Sequence, residues 1–358
     1  MSTEQEFPTT IAELTPLALT QCLQKSGHLG QGRVASASGV LIGTGKMGDN
    51  ARISMTYEGD AGGLPSSLVA KLPATDETAR NMAGLQGAYY NEVMFYRQFA
   101  KRTSMRTPQI FASELSPDKT SFMLLMEDMA PAEPGSQLVG ESRARAGTAL
   151  AEAAKLAAAF YGDETITDAD HVMKVDPADG GAFGQLLLQQ NWPGFLDRFG
   201  HGISAECVQF GERFIESYTH FVNRYQGAKT LAHGDFRCEN ILFNGDTAII
   251  VDWQTPSHTS VMTDAAYFLG GSLQSQDRRD WERELVAEYR VQLAHQGVEL
   301  NLSECWEQYR EYAMHGILIT VLGASFSGAE ERGDRMFLTM IQRHLQQCVD
   351  LDAQEFLS

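Results

Sequence analysis

The sequence lacks the features that mark secreted, membrane-spanning and nucleic-acid-binding proteins. Its five cysteines are scattered and form no C-x-x-C pair, so we expect neither a disulfide framework nor a zinc site. The longest apolar run, residues 316–326, is about half the length that a bilayer requires, and the N-terminus has neither a basic start nor an apolar signal core. We therefore expect a cytoplasmic protein with no membrane association.

Positive charge is also scarce. With 28 Lys and Arg against 46 Asp and Glu, the net charge is −18 at pH 7, and no basic cluster offsets it locally. Such a surface repels phosphate backbones, so nucleic acid is not an expected partner, whereas a cationic small molecule would be attracted. The sequence contains no internal repeat or low-complexity tract, and no obligate protein partner is evident in it.

What is present is the composition of a folded protein longer than one average domain, with 43% hydrophobic and 21% charged residues. Residues 51–58 alternate between apolar and polar side chains, which predicts a half-buried strand in a five-stranded antiparallel sheet. The other strands are predicted within 37–50 and at 67–72, 110–115 and 122–126, and helices are predicted within 11–29, near 85–101 and at 144–160, 208–225, 280–295, 303–322 and 336–351.

The strongest chemical pattern is the run His233-Gly234-Asp235-Phe236-Arg237-Cys238-Glu239-Asn240, followed by a hairpin and Asp252. Asn244-Gly245 between two apolar runs predicts the hairpin turn, which brings Asn240 and Asp252 to the same open end. Carboxylate and amide oxygens are the hard ligands that Mg²⁺ prefers, and phosphoryl transfer depends on such neutralisation of charge. Each residue alone is typical of a turn, but the spacing H-x-D-x4-N with a later Asp favours a metal site.

A glycine-rich segment, Gly43-Thr44-Gly45-Lys46-Met47-Gly48, fits the pattern G-x-G-x-x-G. This pattern is typical of dinucleotide-binding folds and of loops that cover nucleotide phosphates. A dinucleotide fingerprint opens a helix, whereas a predicted strand follows here, so we favour a strand-to-strand phosphate loop.

Lys71 ends the predicted strand 67–72, where Val69 shares its face because strand side chains repeat every second residue. Glu92 lies on an apolar helical face, and a carboxylate buried there requires a cation. Lys71 is the candidate for that cation. The alternative is that both side chains are solvated, as Lys and Glu usually are.

Together these motifs resemble the catalytic loop and metal-binding Asp of the aminoglycoside phosphotransferase, choline kinase and ecdysteroid-kinase-like superfamily, in the version H-G-D-x4-N. The resemblance implies an α+β, protein-kinase-like two-lobed fold, with a small antiparallel β lobe carrying one main helix and a larger, mostly helical lobe. It implies a nucleotide-binding lobe at residues 1–128 and a helical lobe at 129–358, with a substrate-covering insertion at about 135–228. It also implies that ATP and Mg²⁺ are used to phosphorylate a small-molecule hydroxyl, on an aminoglycoside-like, choline-like or lipophilic alcohol substrate.

The resemblance assigns a role to each matching residue. Asp235 is the expected catalytic base, and Arg237 is expected to contact the terminal phosphate unless it merely pairs with Glu239. The other expected sites are Gly43, Gly45, Gly48, Val69, Lys71 and Glu92 with the backbone of Glu127, Asp128 and Met129 for ATP, Asn240 and Asp252 for the metal, and His233 and Asp264 in support of the catalytic loop, Asp264 as a helix N-cap.

Two departures from protein kinases limit what the resemblance implies. Trp253-Gln254 stands in place of Phe-Gly, and no Ala-Pro-Glu segment follows, so we expect no phosphorylated activation loop. A nucleotide-binding pseudokinase that serves as an interaction module is the alternative function, and a dehydrogenase is a third. For the acceptor, Trp192, Phe183, Phe195 and Trp253 form either an aromatic box or ordinary core.

Overall fold

The computed structural model describes residues 6–43, 47–176 and 178–358, and the chain divides into two compact units. Unit 1 contains the chain up to Arg102 together with Thr107–Pro131 and Asp252–Thr255. Unit 2 contains Thr103–Arg106, Ala132–Val251 and Pro256–Ser358. The predicted lobes at 1–128 and 129–358, and the insertion at 135–228, stay predictions about functional parts of the chain.

The described part of unit 1 contains a five-stranded antiparallel sheet, as the alternating pattern predicted. Its strands are β1 (Arg33–Ile42), β2 (Gly48–Glu58), β3 (Ser67–Pro73), β4 (Ile110–Leu115) and β5 (Phe122–Glu127). They lie in the order β1-β2-β3-β5-β4, so β3 is central. Val69 is paired with Met126 and Lys71 with Leu124, which puts the potential nucleotide-binding side chains on the middle strand.

One face of this sheet packs against the N-terminal helix α1 (Pro16–Lys25). The helix begins after Thr15, whose hydroxyl accepts a hydrogen bond from the first turn and satisfies one N–H group there. Leu19 and Leu23, one turn apart, are buried in the same cluster as Ala51, Ile53, Leu68 and Ala70. Because strand side chains alternate, Val69 and Lys71 lie on the opposite face of β3.

The helix predicted near residues 85–101 is present as α3 (Ala88–Met94), which continues as a π-helical turn at Phe95–Phe99 and a 3-10 turn at Ala100–Arg102. A further helix that the sequence did not predict, α2 (Glu77–Leu85), precedes it. Gly87 separates the two helices with a φ of 71°. This left-handed conformation is open to glycine without a Cβ penalty, so Gly87 suits the boundary between α2 and α3.

The described part of unit 2 is mostly helical, with two small sheets. Its helices are α4 (Arg143–Ala159), α5 (Ala182–Phe199), α6 (Ala205–Glu216), α7 (Tyr218–Arg224), α8 (Thr263–Ser272), α9 (Ser275–His295), α10 (Leu302–Tyr312), α11 (His315–Ser325) and α12 (Glu331–Asp350). Its short strands are β6 (Glu133–Pro134), β7 (Thr230–Ala232), β8 (Ile241–Asn244), β9 (Thr247–Ile250) and β10 (Ser257–Thr259). The helices predicted at 208–225 and 303–322 are each divided into two, and the predicted α+β class is confirmed.

No helix in the described ranges is both long and apolar enough to cross a membrane.

β8 and β9 form the predicted hairpin, with its turn one residue later than expected. Asn244 pairs with Thr247, so the two turn residues are Gly245-Asp246 and not Asn244-Gly245. Beyond the strands, the Val251 N–H donates to the Asn240 carbonyl at 3.1 Å. Asp252 therefore directly follows the residue that is paired with Asn240.

Gly48, the first residue of β2, lies too close to β3 for a side chain. A Cβ atom there would lie 2.8 Å from the carbonyl oxygen of Leu72. Gly48→Ala should therefore lower the free energy of unfolding by about 1–3 kcal/mol, because the backbone must shift. Gly30→Ala is the matched control, since nothing lies within 4 Å of a Cβ at that position. Thermal unfolding without nucleotide measures both variants, and equal stability would contradict the close approach.

Candidate functional site

Lys71 connects three separate segments of unit 1. Its side chain is 10% exposed on β3, and Nζ donates to a Glu92 carboxylate oxygen at 2.8 Å. The same nitrogen donates to Asp252 Oδ1 at 2.7 Å. Glu92 lies buried on α3, whereas the Asp252 side chain is 34% exposed. The predicted pair of Lys71 and Glu92 is therefore present, and the predicted metal ligand Asp252 shares the same ammonium group.

The two carboxylates favour the charged form of Lys71. Burial acts to lower the pKa of Lys71, but the carboxylates of Asp252 and Glu92 outweigh it and raise that pKa above its usual value. Burial raises the pKa of Glu92, although the charge of Lys71 acts in the opposite direction. Lys71 is therefore protonated at neutral pH and presents a positive charge at a fixed position on β3.

The segment that begins with Asp252 is anchored to α3. The Asn91 side-chain amide donates to the Gln254 carbonyl at 2.9 Å. Four residues along, the Phe95 ring stacks on the Trp253 ring with centroids 3.5 Å apart and nearly parallel planes. Asn91 and Phe95 lie on the same helix face because residues four apart are neighbours on a helix. The Trp-Gln pair that replaces Phe-Gly is thus a packed element beside Asp252.

The glycine-rich loop enters β2 next to Lys71. Gly43 has a φ of 73°, and Gly48 pairs with Pro73 at the end of β3. A Cβ at Gly48 would lie 4.0 Å from Cε of Lys71, so the backbone of Gly48 lies close to the lysine stem. Gly45 lies outside the described residues, and its predicted contact with phosphate stays a prediction.

The segment predicted to bind adenine begins at the end of β5. The Glu127 N–H donates to the Gln109 carbonyl at 2.8 Å and is therefore used within the unit. The Asp128 carboxylate accepts two hydrogen bonds from Arg52, at 2.8 and 3.0 Å, and one from the Ser67 hydroxyl at 2.5 Å. Although burial acts to raise it, these contacts lower the pKa of Asp128. The carboxylate holds the segment in place, so backbone groups of this segment, and not the Asp128 side chain, are the candidates for adenine.

In unit 2, the loop between β7 and β8 is organised by a carboxylate on α8. Asp264 accepts the backbone N–H groups of His233, at 2.7 Å, and Gly234, at 3.1 Å. Gly234 has a φ of 83°, a left-handed conformation that favours glycine and lets two successive N–H groups point at one anion. Burial raises the pKa of Asp264, although His233 and the two N–H groups act to lower it.

Asp264 is not the helix N-cap that the sequence suggested. Met262 is the N-cap of α8, and Asp264 is the second residue of the helix. Its carboxylate accepts N–H groups of the loop and not those of its own helix. The physical reason is that the loop N–H groups are buried and need an acceptor. The Asp264 carboxylate accepts their hydrogen bonds and is therefore not used to cap its own helix.

The His233 imidazole connects the loop to the end of β9. Its Nε2 is 3.0 Å from the Val251 carbonyl oxygen, and its Nδ1 accepts the Asp235 N–H at 3.3 Å. Because a carbonyl only accepts and an amide N–H only donates, the ring proton is on Nε2. His233 thereby fixes both Asp235 and the residue that precedes Asp252.

Asp235 is 23% exposed, and both of its carboxylate oxygens accept hydrogen bonds. Oδ2 accepts Asn240 Nδ2 at 2.9 Å and Arg237 Nε at 3.3 Å, and Oδ1 accepts the Tyr267 hydroxyl at 2.7 Å. Asn240 Nδ2 also donates to the backbone carbonyl of Asp235 at 2.9 Å. Two acceptors on one nitrogen fix the orientation of the amide, so Oδ1 is the atom of Asn240 that can bind a cation.

Arg237 lies between two carboxylates. Besides Asp235, it contacts Glu239 through Nη1 at 3.0 Å, and Glu239 in turn accepts from Arg332 of α12 at 2.9 Å. Burial acts to lower the pKa of Arg237, but the charges of Asp235 and Glu239 raise it. The pairing with Glu239 that the sequence offered as an alternative is present, and the contact of Arg237 with a phosphate stays a prediction.

Sequence reasoning missed two residues beside Asp235. Tyr267 donates to Oδ1, and His315 Nε2 lies 2.8 Å from the Gly234 carbonyl oxygen. Tyr267 could have been predicted from the sequence, because it follows Asp264 by three positions and therefore shares its helix face. His315 is separated from Gly234 by 81 positions, and nothing in the local sequence connects them.

The aromatic residues considered for an acceptor box are mostly ordinary core. Trp192 and Phe195 are buried and stacked with ring centroids 5.7 Å apart, and Trp253 is buried against Phe95. Phe183 is 63% exposed. The core interpretation is therefore correct for Trp192, Phe195 and Trp253.

Comparison with known proteins finds a family model that matches part of the chain. Residues 180–302 match the model of the ecdysteroid kinase-like family. The matched segment contains Asp235, Asn240, Asp252 and Asp264. No curated protein matches the sequence significantly.

Three solved structures share the fold over most of the chain. Choline kinase from Cryptosporidium parvum Iowa II aligns with 90% of this chain and 91% of its own, at 11% identity and a TM-score of 0.55. Ethanolamine kinase from Plasmodium vivax aligns with 89% of this chain and 82% of its own, at 10% identity and a TM-score of 0.53. The GDP complex of wild-type aminoglycoside 2'-phosphotransferase-IIIa aligns with 92% of this chain and 98% of its own, at 15% identity and a TM-score of 0.52.

These matches confirm the predicted resemblance. The segment carrying the H-G-D-x4-N motif is similar to the ecdysteroid kinase-like family, and the chain has the protein-kinase-like α+β fold of the small-molecule kinases.

Asp264→Ala tests the organisation of the catalytic loop. It removes the acceptor of two buried N–H groups and should lower the free energy of unfolding by about 2–6 kcal/mol, since each unsatisfied group costs about 1–3 kcal/mol. Glu206→Ala is the matched control, because Glu206 is also the second residue of a helix but is exposed. It should change stability by less than about 0.5 kcal/mol. Chemical denaturation measures the stability of both variants. Similar losses of stability in the two would contradict the role of Asp264 in organising the loop.

Proposed function

We propose that the protein is an ATP- and Mg²⁺-dependent phosphotransferase that moves the γ-phosphate of ATP to a hydroxyl of a small molecule. The observation that carries the proposal is the ammonium group of Lys71 held between Glu92 and Asp252. Phosphoryl transfer is catalysed mainly by positioning and by neutralising charge, and a cation at a fixed position serves both. One of the structurally similar kinases was solved as a GDP complex, which supports a nucleotide as the ligand.

The nucleotide is assigned to the sheet face that carries Lys71. There the ammonium group would contact the phosphates, and the backbone of the glycine-rich loop would cover them. The residues proposed to bind ATP are Gly43, Gly45, Gly48, Val69, Lys71, Glu127, Asp128 and Met129, with Glu92 acting through Lys71.

Asn240 and Asp252 are the proposed ligands of Mg²⁺. They offer an amide and a carboxylate oxygen, the donor types that Mg²⁺ takes from proteins before water and phosphate complete its shell. Asn240 fits because its amide nitrogen is held by Asp235, and Asp252 fits because its carboxylate is partly exposed. When bound, the ion would neutralise charge on the phosphates. Within the described ranges, no group of three or more His, Cys, Asp or Glu side chains could hold a metal, so we propose no site made of protein ligands alone.

Asp235 is the proposed general base. The oxygen of the substrate hydroxyl forms a bond to the γ-phosphorus, the bond from that phosphorus to the β,γ-bridging oxygen breaks, and ADP leaves. The hydroxyl proton passes to the Asp235 carboxylate, so the charges balance. Arg237, beside this carboxylate, would offset negative charge on the group in transfer.

The acceptor is proposed to be a small molecule with a free hydroxyl. The net charge of −18 favours a cationic acceptor, and the similar structures are by name kinases of choline and ethanolamine and a phosphotransferase of aminoglycosides. A choline-like or aminoglycoside-like acceptor agrees with these observations, and a lipophilic alcohol agrees with the ecdysteroid kinase-like match.

Asp252→Asn tests the metal assignment. The substitution keeps the size of the side chain but removes one negative charge from the proposed ion shell, so turnover should fall at low Mg²⁺ and recover in part as Mg²⁺ is raised. Asp235→Asn should lower turnover by about 10² or more without such recovery, because its defect is in proton transfer. Asp246→Asn, the same change in the exposed hairpin turn, is the control.

The measurement is a Mg²⁺ titration of ATP turnover for all three variants beside the wild-type protein. The same Mg²⁺ dependence in Asp252→Asn and in the wild-type protein would refute the metal assignment.

A further inference from the structure

Tyr267 contributes to the site from the helix that also organises the loop. It lies on α8, fully buried, three residues after Asp264. The two side chains leave the same helix face, and each reaches a different part of the catalytic loop. Asp264 holds the N–H groups of His233 and Gly234, while the Tyr267 hydroxyl donates to Asp235 Oδ1 at 2.7 Å. One helix thus fixes both the backbone of the loop and its reactive side chain.

The distribution of donors around Asp235 identifies the oxygen that can take a proton. An ionised carboxylate has about four acceptor positions, two on each oxygen. Asn240 and Arg237 occupy both positions on Oδ2. On Oδ1, Tyr267 occupies one position, and no further donor to it is present in the described part of the chain. The remaining position on Oδ1, beside the Tyr267 hydroxyl, is therefore the one that a substrate hydroxyl would use.

The Tyr267 ring is itself held on two sides. It stacks on the His344 ring at a centroid distance of 5.0 Å with nearly parallel planes, and the His315 ring meets it edge-on at 5.5 Å. Burial lowers the pKa of His344 to about 3, so this neighbour is uncharged at neutral pH. Burial, followed by the nearby Asp235 charge, raises the pKa of Tyr267 well above its usual value. The hydroxyl consequently remains a donor with little freedom to rotate away.

We propose that Tyr267 is a positioning residue for the transfer reaction, which holds the Asp235 carboxylate so that Oδ1 faces the substrate hydroxyl. The inference rests on the proposed function and deepens it by assigning the proton to one oxygen. Without the Tyr267 hydroxyl, the carboxylate keeps its contacts to Asn240 and Arg237 through Oδ2 but loses the contact that fixes Oδ1. A displacement of about 1 Å in a reacting group can cost about 10² in rate, so this one contact matters for turnover.

Tyr267→Phe is the test, because it removes the hydroxyl and keeps the ring. We expect kcat to fall about tenfold to a hundredfold, while KM for ATP and the Mg²⁺ dependence stay at wild-type values, since the lost contact acts on the base alone. Tyr289→Phe is the matched control. Tyr289 is equally buried in unit 2, and its hydroxyl donates to the Val261 carbonyl at 2.7 Å. This control should lose stability but keep the wild-type kcat.

Two kinetic outcomes would overturn the proposal. In one, Tyr267→Phe turns over at the wild-type rate. In the other, Tyr267→Phe and Tyr289→Phe lower kcat to the same extent, which would mean that any lost buried hydroxyl has this effect. If the first outcome came with a rise in KM for ATP, Tyr267 would act on binding and not on the base.

A second measurement does not require activity. In a double-mutant cycle, the melting temperatures of Tyr267→Phe, Asp235→Ala and the double variant should be non-additive, because the two side chains share one hydrogen bond. The same cycle with Tyr289→Phe should be additive, since Tyr289 donates elsewhere. Additivity in the first cycle would overturn the contact itself. If the wild-type protein transferred no phosphate to any acceptor, the proposed function would fail while this cycle still decided the role of Tyr267 in holding Asp235.

Discussion

The ion pair that Lys71 makes with both Glu92 and Asp252 is the interaction on which the arrangement of unit 1 depends. It connects β3, α3 and the segment Asp252–Thr255, which come from distant parts of the sequence. Loss of one partner from a buried ion pair costs about 3–5 kcal/mol, because it leaves a buried charge without compensation. The neighbouring contacts of Asn91 with Gln254 and of Phe95 with Trp253 reinforce the same connection. A positive charge and a partly exposed carboxylate are thereby kept side by side.

In unit 2, a small number of side chains hold the loop that carries Asp235. A reactive carboxylate on a loop must be held without being neutralised, and the loop must not collapse around it. Asp264 binds the backbone of the loop, His233 connects it to Val251, and Asn240 and Tyr267 divide the oxygens of Asp235 between them. Arg237 adds a charged donor to the same oxygen that Asn240 contacts, so three side chains hold the Asp235 carboxylate. Preorganised polar groups of this kind need no rearrangement when charge moves during a reaction.

The sequence predicted the strands and the candidate catalytic loop, because both depend on patterns within short segments of the chain. The alternation at residues 51–58 predicted a strand, and the spacing H-x-D-x4-N marked a candidate catalytic loop. Where the prediction was wrong, a single residue usually decided otherwise. Gly245 takes the first position of the hairpin turn, which moves the turn by one residue. Asp264 was expected to cap its helix because Asp is common at helix N-termini. Its carboxylate instead accepts two buried N–H groups of the loop.

The contacts that sequence reasoning did not reach are those between distant positions with no shared pattern. Tyr267 and Asp235 are 32 positions apart, and His315 and Gly234 are 81 apart. Such pairs become neighbours only after helices have packed, and neither periodicity nor turn chemistry encodes which helix face meets which loop. Tyr267 could have been proposed from its spacing to Asp264, whereas His315 required the fold.

The central claim is that the chain transfers phosphate and does not merely bind nucleotide. The most direct test is ³¹P NMR of the protein with Mg-ATP and a pooled set of amino sugars, choline-like amines, sugars and sterols. The account predicts a new phosphomonoester resonance, with ADP formed in equal amount, and both signals should grow about 10² or more times more slowly when Asp235 is replaced by Asn. ATP that binds but is never consumed with any acceptor would contradict the account and leave a nucleotide-binding pseudokinase as the function of this fold.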